Sequence, residues 1–206
     1  MNRAGSVWVG EDALVTVPDI LSTIRVALAL LIAGAGTMFF TPGARTAMLL
    51  AFLVGVATNV AGGMLARGRV TPQGRVFDSI ADKALVYGVL LPLARSGFPP
   101  LFLLQLLLAR DAVAVALQVV AARQGQVLPV GRAGRLKTAI LYMACAALLT
   151  LAWLQSGAGP VTIDPGDLGT ILPFLLLSQL GIVVGLLLSF VTLYRYIVTL
   201  RSRGAA

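Results

Sequence analysis

Long apolar stretches separated by short polar connections dominate the pattern along this chain. A helix needs about 20 mostly apolar residues to cross a bilayer. Six segments reach or approach that length, at residues 20–40, 46–65, 77–93, 101–121, 138–154 and 171–200. The pattern therefore predicts an all-α polytopic membrane protein with six transmembrane helices.

The short connections leave no room for a second folded unit. We expect a single membrane domain over residues 1–206, with a polar N-terminal segment (1–17), a six-helix bundle (18–200) and a basic tail (201–206). Composition agrees, because 58% of the residues are hydrophobic and 12% are charged. The mean hydropathy of +0.93 is too high for a soluble domain of this size.

The net charge of +8 is unevenly placed along the chain. With the amino terminus inside, the outer connections hold only Arg45 and Arg95 as basic residues, whereas the inner ones hold Arg67, Arg69, Arg75, Arg123, Arg132, Arg135, Lys137, Arg201 and Arg203. Basic residues accumulate on the cytoplasmic side of membrane proteins. We therefore expect both termini in the cytoplasm. No set of stacking aromatic residues accompanies the charge, which argues against a nucleic-acid partner.

Small and polar residues line one face of the second apolar segment. Spacings of three and four relate Gly55, Asn59, Gly62, Gly63 and Ala66, so on a helix they share a face. Such a face lets another group approach the backbone closely. That group is either a neighbouring helix, packed through small residues, or a ligand.

Two carboxylates, Asp78 and Asp82, lie near the start of the third segment. They share a helix face at an axial separation of about 6 Å, and they repel each other unless a cation lies between them. Lys83 follows directly but points away from that face. A divalent ion, Mg²⁺ above all, completed by substrate phosphates, is one solution. An ion-pair cluster with arginines from the loops is the other.

Further charged residues lie within or beside other spans. Arg25 falls in the first turns of the first span, where we expect it to reach the inner interface or to face a polar cavity. Arg110 and Asp111 lie in the fourth span, and Arg135 and Lys137 open the fifth. The basic residues suit a phosphorylated ligand. The alternatives are an ion pair for Arg110 with Asp111 and lipid headgroup contact for Arg135 with Lys137.

On these residues the sequence resembles the CDP-alcohol phosphotransferase family. The family pattern is D-x-x-D-G-x-x-A-R, a spacer, then G-x-x-x-D-x-x-x-D, and the residues that match it are Gly63, Ala66, Arg67, Gly74, Asp78 and Asp82. Segments 18–25, 77–83, 109–111 and 134–138 are similar to the bacterial phosphatidylglycerophosphate synthase branch. The spacer between Arg67 and Gly74 is shorter than in the family pattern.

The resemblance implies a six-span enzyme that transfers a phosphatidyl or similar group from a CDP-linked donor to an alcohol and releases CMP. It implies Mg²⁺ or Mn²⁺ at Asp78 and Asp82, with Asp82 also acting as the general base toward the acceptor hydroxyl. It places the nucleotide diphosphate at Gly63, Ala66, Arg67 and Gly74. It makes Arg110, Arg135 and Lys137 candidates for binding an acceptor phosphate.

The chain departs from the family pattern at its first two acidic positions. Asn59 stands in the first and Gly62 in the second. Asn59 offers one neutral carbonyl oxygen as a weak metal ligand, and Gly62 offers no side chain at all. With half of the carboxylates missing, we expect the binding of two metal ions to be weak or absent.

Two functional hypotheses follow from these observations. The first is a phospholipid-biosynthesis transferase that moves a phosphatidyl group from CDP-diacylglycerol to an alcohol such as glycerol 3-phosphate. The second is a catalytically silent relative that binds lipid or nucleotide or partners an active paralogue. An unrelated small transporter is disfavoured because no internal repeat is visible. The resemblance also implies contact with membrane lipids, a homodimer or a heterodimer with a paralogue, and a site that faces the cytoplasm in a bacterial cytoplasmic membrane.

Overall fold

The structure is a computed structural model and describes residues 17–38, 41–65, 71–95, 97, 99–126, 131–155 and 168–204. Within these ranges it has six α-helices and a short 3-10 turn, Gly36–Met38. The helices are α1 (Val17–Ala35), α2 (Pro42–Leu65), α3 (Pro72–Arg95), α4 (Leu101–Arg123), α5 (Arg132–Leu154) and α6 (Leu168–Gly204). The predicted all-α class is confirmed.

Proline and glycine set several helix ends. α2 and α3 begin at Pro42 and Pro72, where a missing backbone N–H costs nothing. α4 ends before Gly125, whose φ of +68° lies in the left-handed region that favours glycine. Because α3 begins at Pro72 rather than at the predicted residue 77, Asp78 lies inside a formed helix rather than at its first turn.

The core lies where the helices cross. α1 packs against α2 and α3, and α5 packs against α6 and α2. The rings of Phe52 and Tyr142 meet edge to face, with centroids 5.9 Å apart. α1 and α3 approach closely at Gly88, where an added Cβ would lie 2.9 Å from the carbonyl oxygen of Ala29. This close approach fixes the spacing of the two helices that carry Arg25 and the two aspartates.

Four of the described helices are long and apolar enough to cross a membrane, over Pro42–Met64, Leu101–Arg123, Arg132–Leu154 and Gly169–Leu200. Large apolar side chains, including Leu30, Phe102 and Leu187, are exposed on the outer faces. Such extensive apolar exposure suits contact with lipid rather than water. The chain is therefore an integral membrane protein.

Successive helices alternate in direction, so that one end of the bundle gathers the starts of α1, α3 and α5 and the ends of α2, α4 and α6 around a common cavity. At the opposite end of the bundle, Arg45 links α2 to the end of α5. The sequence placed Arg45 in an outer connection, but it lies buried within α2. Its guanidinium donates to the carbonyl oxygens of Ala152, at 3.1 Å, and of Gln155.

Candidate active site

A cavity of about 580 Å³ opens among the six gathered helix ends. The predicted metal and nucleotide residues in its lining are Asn59, Gly63, Gly74, Asp78 and Asp82. The predicted acceptor-phosphate residues in its lining are Arg110, Arg135 and Lys137. The structure therefore brings these residues to one space. The predicted residues Ala66 and Arg67 lie outside the described part of the chain.

Arg25 holds both carboxylates of α3. Its Nη2 donates to Asp78 Oδ1 at 2.5 Å, and its Nη1 donates to Asp82 Oδ1. Ser22, one turn earlier on α1, accepts from Arg25 Nη2 at 3.0 Å and donates to Asp78 Oδ1 at 3.2 Å. One guanidinium therefore bridges the two acids.

This arrangement refines two predictions. The side chain of Arg25 is only 1% exposed, because the carboxylates that line the cavity hold it inside the bundle. The ion-pair alternative for Asp78 and Asp82 is also altered, since their arginine comes from α1 and not from a loop.

Asn59 and Tyr142 complete the network around Asp82. The Tyr142 hydroxyl donates to Asp82 Oδ1 at 3.1 Å and accepts from Asn59 Nδ2 at 3.0 Å. The other end of the amide, Asn59 Oδ1, accepts from Arg25 Nη1 at 3.3 Å. Both polar ends of Asn59 are therefore used by protein groups.

The two aspartates still present negative charge to the cavity. All of these bonds use the Oδ1 atoms. The side chains remain 38% exposed for Asp78 and 22% exposed for Asp82. A carboxylate that is anchored through one oxygen and partly open can accept a proton from a group bound in the cavity.

The small-residue face of α2 packs against a neighbouring helix along one part of its length and is open along another. An added Cβ at Gly55 would lie 2.7 Å from Leu85 Cδ2, so that part of the face packs tightly against α3. An added Cβ at Gly62 would lie 3.8 Å from Arg25 Nη2, whereas one at Gly63 would meet nothing within 4 Å. The face therefore ends in open space at the cavity.

A second buried cluster surrounds Asp111. Its Oδ1 accepts from Arg110 Nη1 and from Lys137 Nζ, both at 2.7 Å, and its Oδ2 accepts from the Tyr87 hydroxyl at 3.2 Å. Arg110 Nη2 also donates to the carbonyl oxygen of Ser189 and to the hydroxyl of Thr192, both on α6. The ion pair considered for Arg110 and Asp111 is confirmed. Unlike Arg110 and Lys137, Arg135 is exposed at the cavity.

The described donors do not make a divalent-metal site. In the part of the chain that the structure describes, no group of three or more His, Cys, Asp or Glu side chains is placed to hold a metal ion. Mg²⁺ requires near-octahedral oxygen coordination. Here the Oδ1 atoms of Asp78 and Asp82 and the amide oxygen of Asn59 are directed at Arg25. This donor set does not fit a resident divalent ion.

Sequence reasoning missed several contributors to these networks, among them Ser22, Tyr87 and Tyr142. A signal for Ser22 was its spacing of three residues from Arg25, which puts both on one helix face. A signal for the tyrosines was their position inside apolar segments, because a buried tyrosine hydroxyl usually finds a hydrogen-bond partner. Which partner each hydroxyl finds is not visible in the sequence.

Comparisons with known proteins place this arrangement in a family. A family model described as CDP-alcohol phosphatidyltransferase matches residues 15–193. Proteins named CDP-diacylglycerol–glycerol-3-phosphate 3-phosphatidyltransferase are similar in Bacillus subtilis (30% identical over 110 residues), Treponema pallidum (36% over 95 residues) and Mycoplasma genitalium (30% over 131 residues). No solved structure matches the chain.

The chain belongs to the CDP-alcohol phosphatidyltransferase family, because the family model matches most of its length. The resemblance read from the motif is confirmed. The three alignments cover 52%, 45% and 63% of this chain and 57%, 44% and 53% of the respective relatives. The chain therefore spans about half the length of the curated relatives that it matches.

Proposed function

We propose that this protein transfers a phosphatidyl group from CDP-diacylglycerol to a small alcohol phosphate such as glycerol 3-phosphate, with release of CMP. The observation that carries the proposal is the cavity of about 580 Å³, which is lined by Asp78 and Asp82 and by the basic residues Arg135 and Lys137. The names of the three relatives support the same donor and acceptor.

The proposed topology has six membrane spans, with both termini and the cavity at the cytoplasmic face of a bacterial cytoplasmic membrane. In this topology α1 and α3 would cross the membrane in addition to the four long apolar helices. The gathering of helix ends supports this topology, because the cavity lies at the end where the basic residues of α3 and α5 collect. A cavity at a membrane surface lets a lipid donor and a water-soluble acceptor meet.

In the proposed reaction the acceptor hydroxyl attacks the phosphorus that carries diacylglycerol. A new oxygen–phosphorus bond forms, the bond from that phosphorus to the CMP oxygen breaks, and CMP leaves. Asp82 accepts the hydroxyl proton, because it is partly exposed to the cavity and is held through Oδ1 by Arg25 and Tyr142. Anchoring of this kind orients a general base.

The acceptor phosphate is proposed to bind near Arg135. Its side chain is exposed at the cavity, so its guanidinium is available for bidentate contact with a phosphate. Arg110 and Lys137 are committed to Asp111. Together they outnumber that single carboxylate, and they add positive charge to the same wall.

The test is reconstitution of the full chain in lipid nanodiscs with CDP-diacylglycerol and glycerol 3-phosphate, with CMP release as the readout. Asp82→Asn is expected to slow release by about 10²- to 10⁴-fold, the usual contribution of a positioned base. Asp167→Asn, a change in the longest predicted outer connection, is the matched control and should leave the rate unchanged. Equal rates for Asp82→Asn and the wild type would refute the role of Asp82.

The same assay examines the silent-relative alternative. If the wild type binds CDP-diacylglycerol saturably but releases no CMP with any acceptor, the transferase proposal fails and the silent relative is favoured. Activity gained by Asn59→Asp combined with Gly62→Asp would then identify the lost acidic positions as the cause.

A further inference from the structure

Arg25 occupies the centre of the positions that the family pattern gives to acidic residues. Asp78, Asp82 and Asn59 each accept a hydrogen bond from its guanidinium. Gly62 stands at the remaining position, and a Cβ there would lie 3.8 Å from Arg25 Nη2. All four positions of the pattern therefore surround one cationic group.

Arg25 halves the negative charge of this arrangement without a metal ion. Arg25 offsets one of the two negative charges of Asp78 and Asp82, and the neutral residues Asn59 and Gly62 add none. A planar guanidinium offers several N–H donors in a fixed fork that matches carboxylate oxygens. It therefore bridges the pair and reduces the repulsion that would otherwise favour a divalent ion.

We propose that Arg25 is the resident cation of this site, and that the chain binds its CDP-linked donor without a divalent metal ion. The inference deepens the proposed function and rests on it for the identity of the donor. It stands on the mismatch between the metal-dependent family pattern and the donor set that the described residues supply.

Cationic side chains next to the acids replace the ion as partners of the donor diphosphate. Arg75 and Lys83 lie on α3 on either side of the aspartates and line the cavity. Arg75 precedes Asp78 by three residues, so the two share a helix face. Lys83 Nζ donates to the carbonyl oxygen of Ser79 at 3.1 Å and to the hydroxyl of the same residue, and its ammonium stays at the cavity wall.

The competing arrangement is a metal ion that enters together with the nucleotide. Such an ion would use the oxygen atoms of Asp78 and Asp82 that Arg25 leaves open, and it would take its other ligands from the diphosphate. The two arrangements differ in a direct measurement. If a metal ion enters with the nucleotide, donor binding depends on that ion. If Arg25 is the resident cation, donor binding does not depend on a metal ion.

Two binding measurements on the full chain in nanodiscs test the proposal. The first is Mn²⁺ binding followed by electron paramagnetic resonance, with and without CDP. The second is CDP-diacylglycerol binding in EDTA and in Mg²⁺. Asn59→Asp combined with Gly62→Asp is the matched gain-of-site variant and leaves Arg25 in place. Arg25→Gln removes the resident cation, and Arg25→Lys retains its charge.

For the wild type we expect no stoichiometric Mn²⁺ binding, and a donor dissociation constant that EDTA changes by less than about twofold, because an ion that does not bind has no coupling to the donor. The double variant should bind Mn²⁺ and lose donor affinity in EDTA. Arg25→Gln should gain Mn²⁺ binding, whereas Arg25→Lys should not. If Arg25→Gln fails to fold, the double variant still decides the question.

Stoichiometric Mn²⁺ binding by the wild type, alone or with CDP, would overturn the proposal. So would a loss of donor affinity in EDTA of more than about tenfold, which corresponds to a substantial coupling between ion and donor. Absence of CDP-diacylglycerol binding under both conditions would instead refute the proposed function. The Mn²⁺ measurement would then still test the role of Arg25, because it does not depend on donor binding.

Discussion

Two charged clusters in this bundle have opposite compositions. The acid-rich cluster, Arg25 with Asp78 and Asp82, places one cation between two carboxylates. The base-rich cluster, Asp111 with Arg110 and Lys137, places two cations on one carboxylate. Each cluster leaves one charge uncompensated, negative in the first and positive in the second. The cavity, which is lined by the acids of the first cluster and by the bases of the second, is therefore electrically polarised.

The two clusters also differ in access. The side chains of Asp78 and Asp82 are partly open to the cavity, whereas that of Asp111 is only 4% exposed. Removing the partner of a buried charge lowers the free energy of unfolding strongly, whereas removing the partner of a partly hydrated charge lowers it less. The comparison teaches that the acid-rich cluster suits contact with substrate, and that the base-rich cluster suits holding α3, α4, α5 and α6 together.

The largest expected effect comes from breaking the base-rich cluster. Asp111→Asn leaves Arg110 and Lys137 buried against each other, and it should lower the free energy of unfolding by about 3–5 kcal/mol. Unfolding of the detergent-solubilised protein measures this loss. Arg123→Gln, at the exposed end of α4, is the control, expected to change stability by less than about 0.5 kcal/mol. Similar stability for Asp111→Asn and wild type would contradict the assigned difference between the clusters.

A smaller effect comes from forcing apart the helices of the acid-rich cluster. Gly88→Ala places a Cβ 2.9 Å from the carbonyl oxygen of Ala29, and such overpacking should destabilise the protein by about 1–3 kcal/mol. Gly34→Ala, on the partner helix α1, would place a Cβ with nothing within 4 Å and is the control. If both variants unfold alike, the close approach does not set the position of Arg25.

The positive side of the cavity is tested by Arg135→Gln. If Arg135 contacts the acceptor phosphate, its loss should raise KM for glycerol 3-phosphate about tenfold at a nearly unchanged kcat, since a hydrogen bond to a charged group contributes about 1.5–3 kcal/mol. Arg132→Gln is the control, because Arg132 is exposed on α5 but does not line the cavity. Equal KM values for the two variants would exclude Arg135 from acceptor binding.

The smallest expected effect on stability is that of Asp78→Asn. Its side chain is partly exposed, and Arg25 keeps Asp82 as a partner, so the loss should stay below about 1 kcal/mol. Thermal unfolding beside Asp111→Asn gives the direct comparison. A loss as large as that of Asp111→Asn would show that the acid-rich cluster, too, is mainly structural.

The fold was predictable because the length of each apolar segment can be read directly from the sequence. All six predicted apolar segments correspond to described helices, and the all-α class follows from them. Helix starts were harder to predict, as Pro72 shows. It lies in a polar stretch before the apolar run, and it begins α3 because proline suits a first helical position. Hydropathy does not indicate the residue at which this helix begins.

The candidate site was predictable where residues share a helix and obscure where they meet across helices. The shared face of Asp78 and Asp82 follows from their spacing, and both line the cavity. Their bond to Arg25 joins positions that are 53 and 57 residues apart, and no local pattern encodes it. Tyr142 lies 60 residues from Asp82 in the sequence. Tertiary packing alone brings these groups together.

The burial of Arg25 has a consequence for how the chain is made. On the six-span topology, α1 leaves the ribosome carrying an arginine that costs up to about 2.5–3.5 kcal/mol to insert near a helix centre, and its partner Asp78 is synthesised 53 residues later. We expect α1 to remain beside the insertion machinery until α3 emerges, so that Arg25 enters the lipid already paired with the aspartates. The aspartates would then serve biogenesis before they meet any substrate.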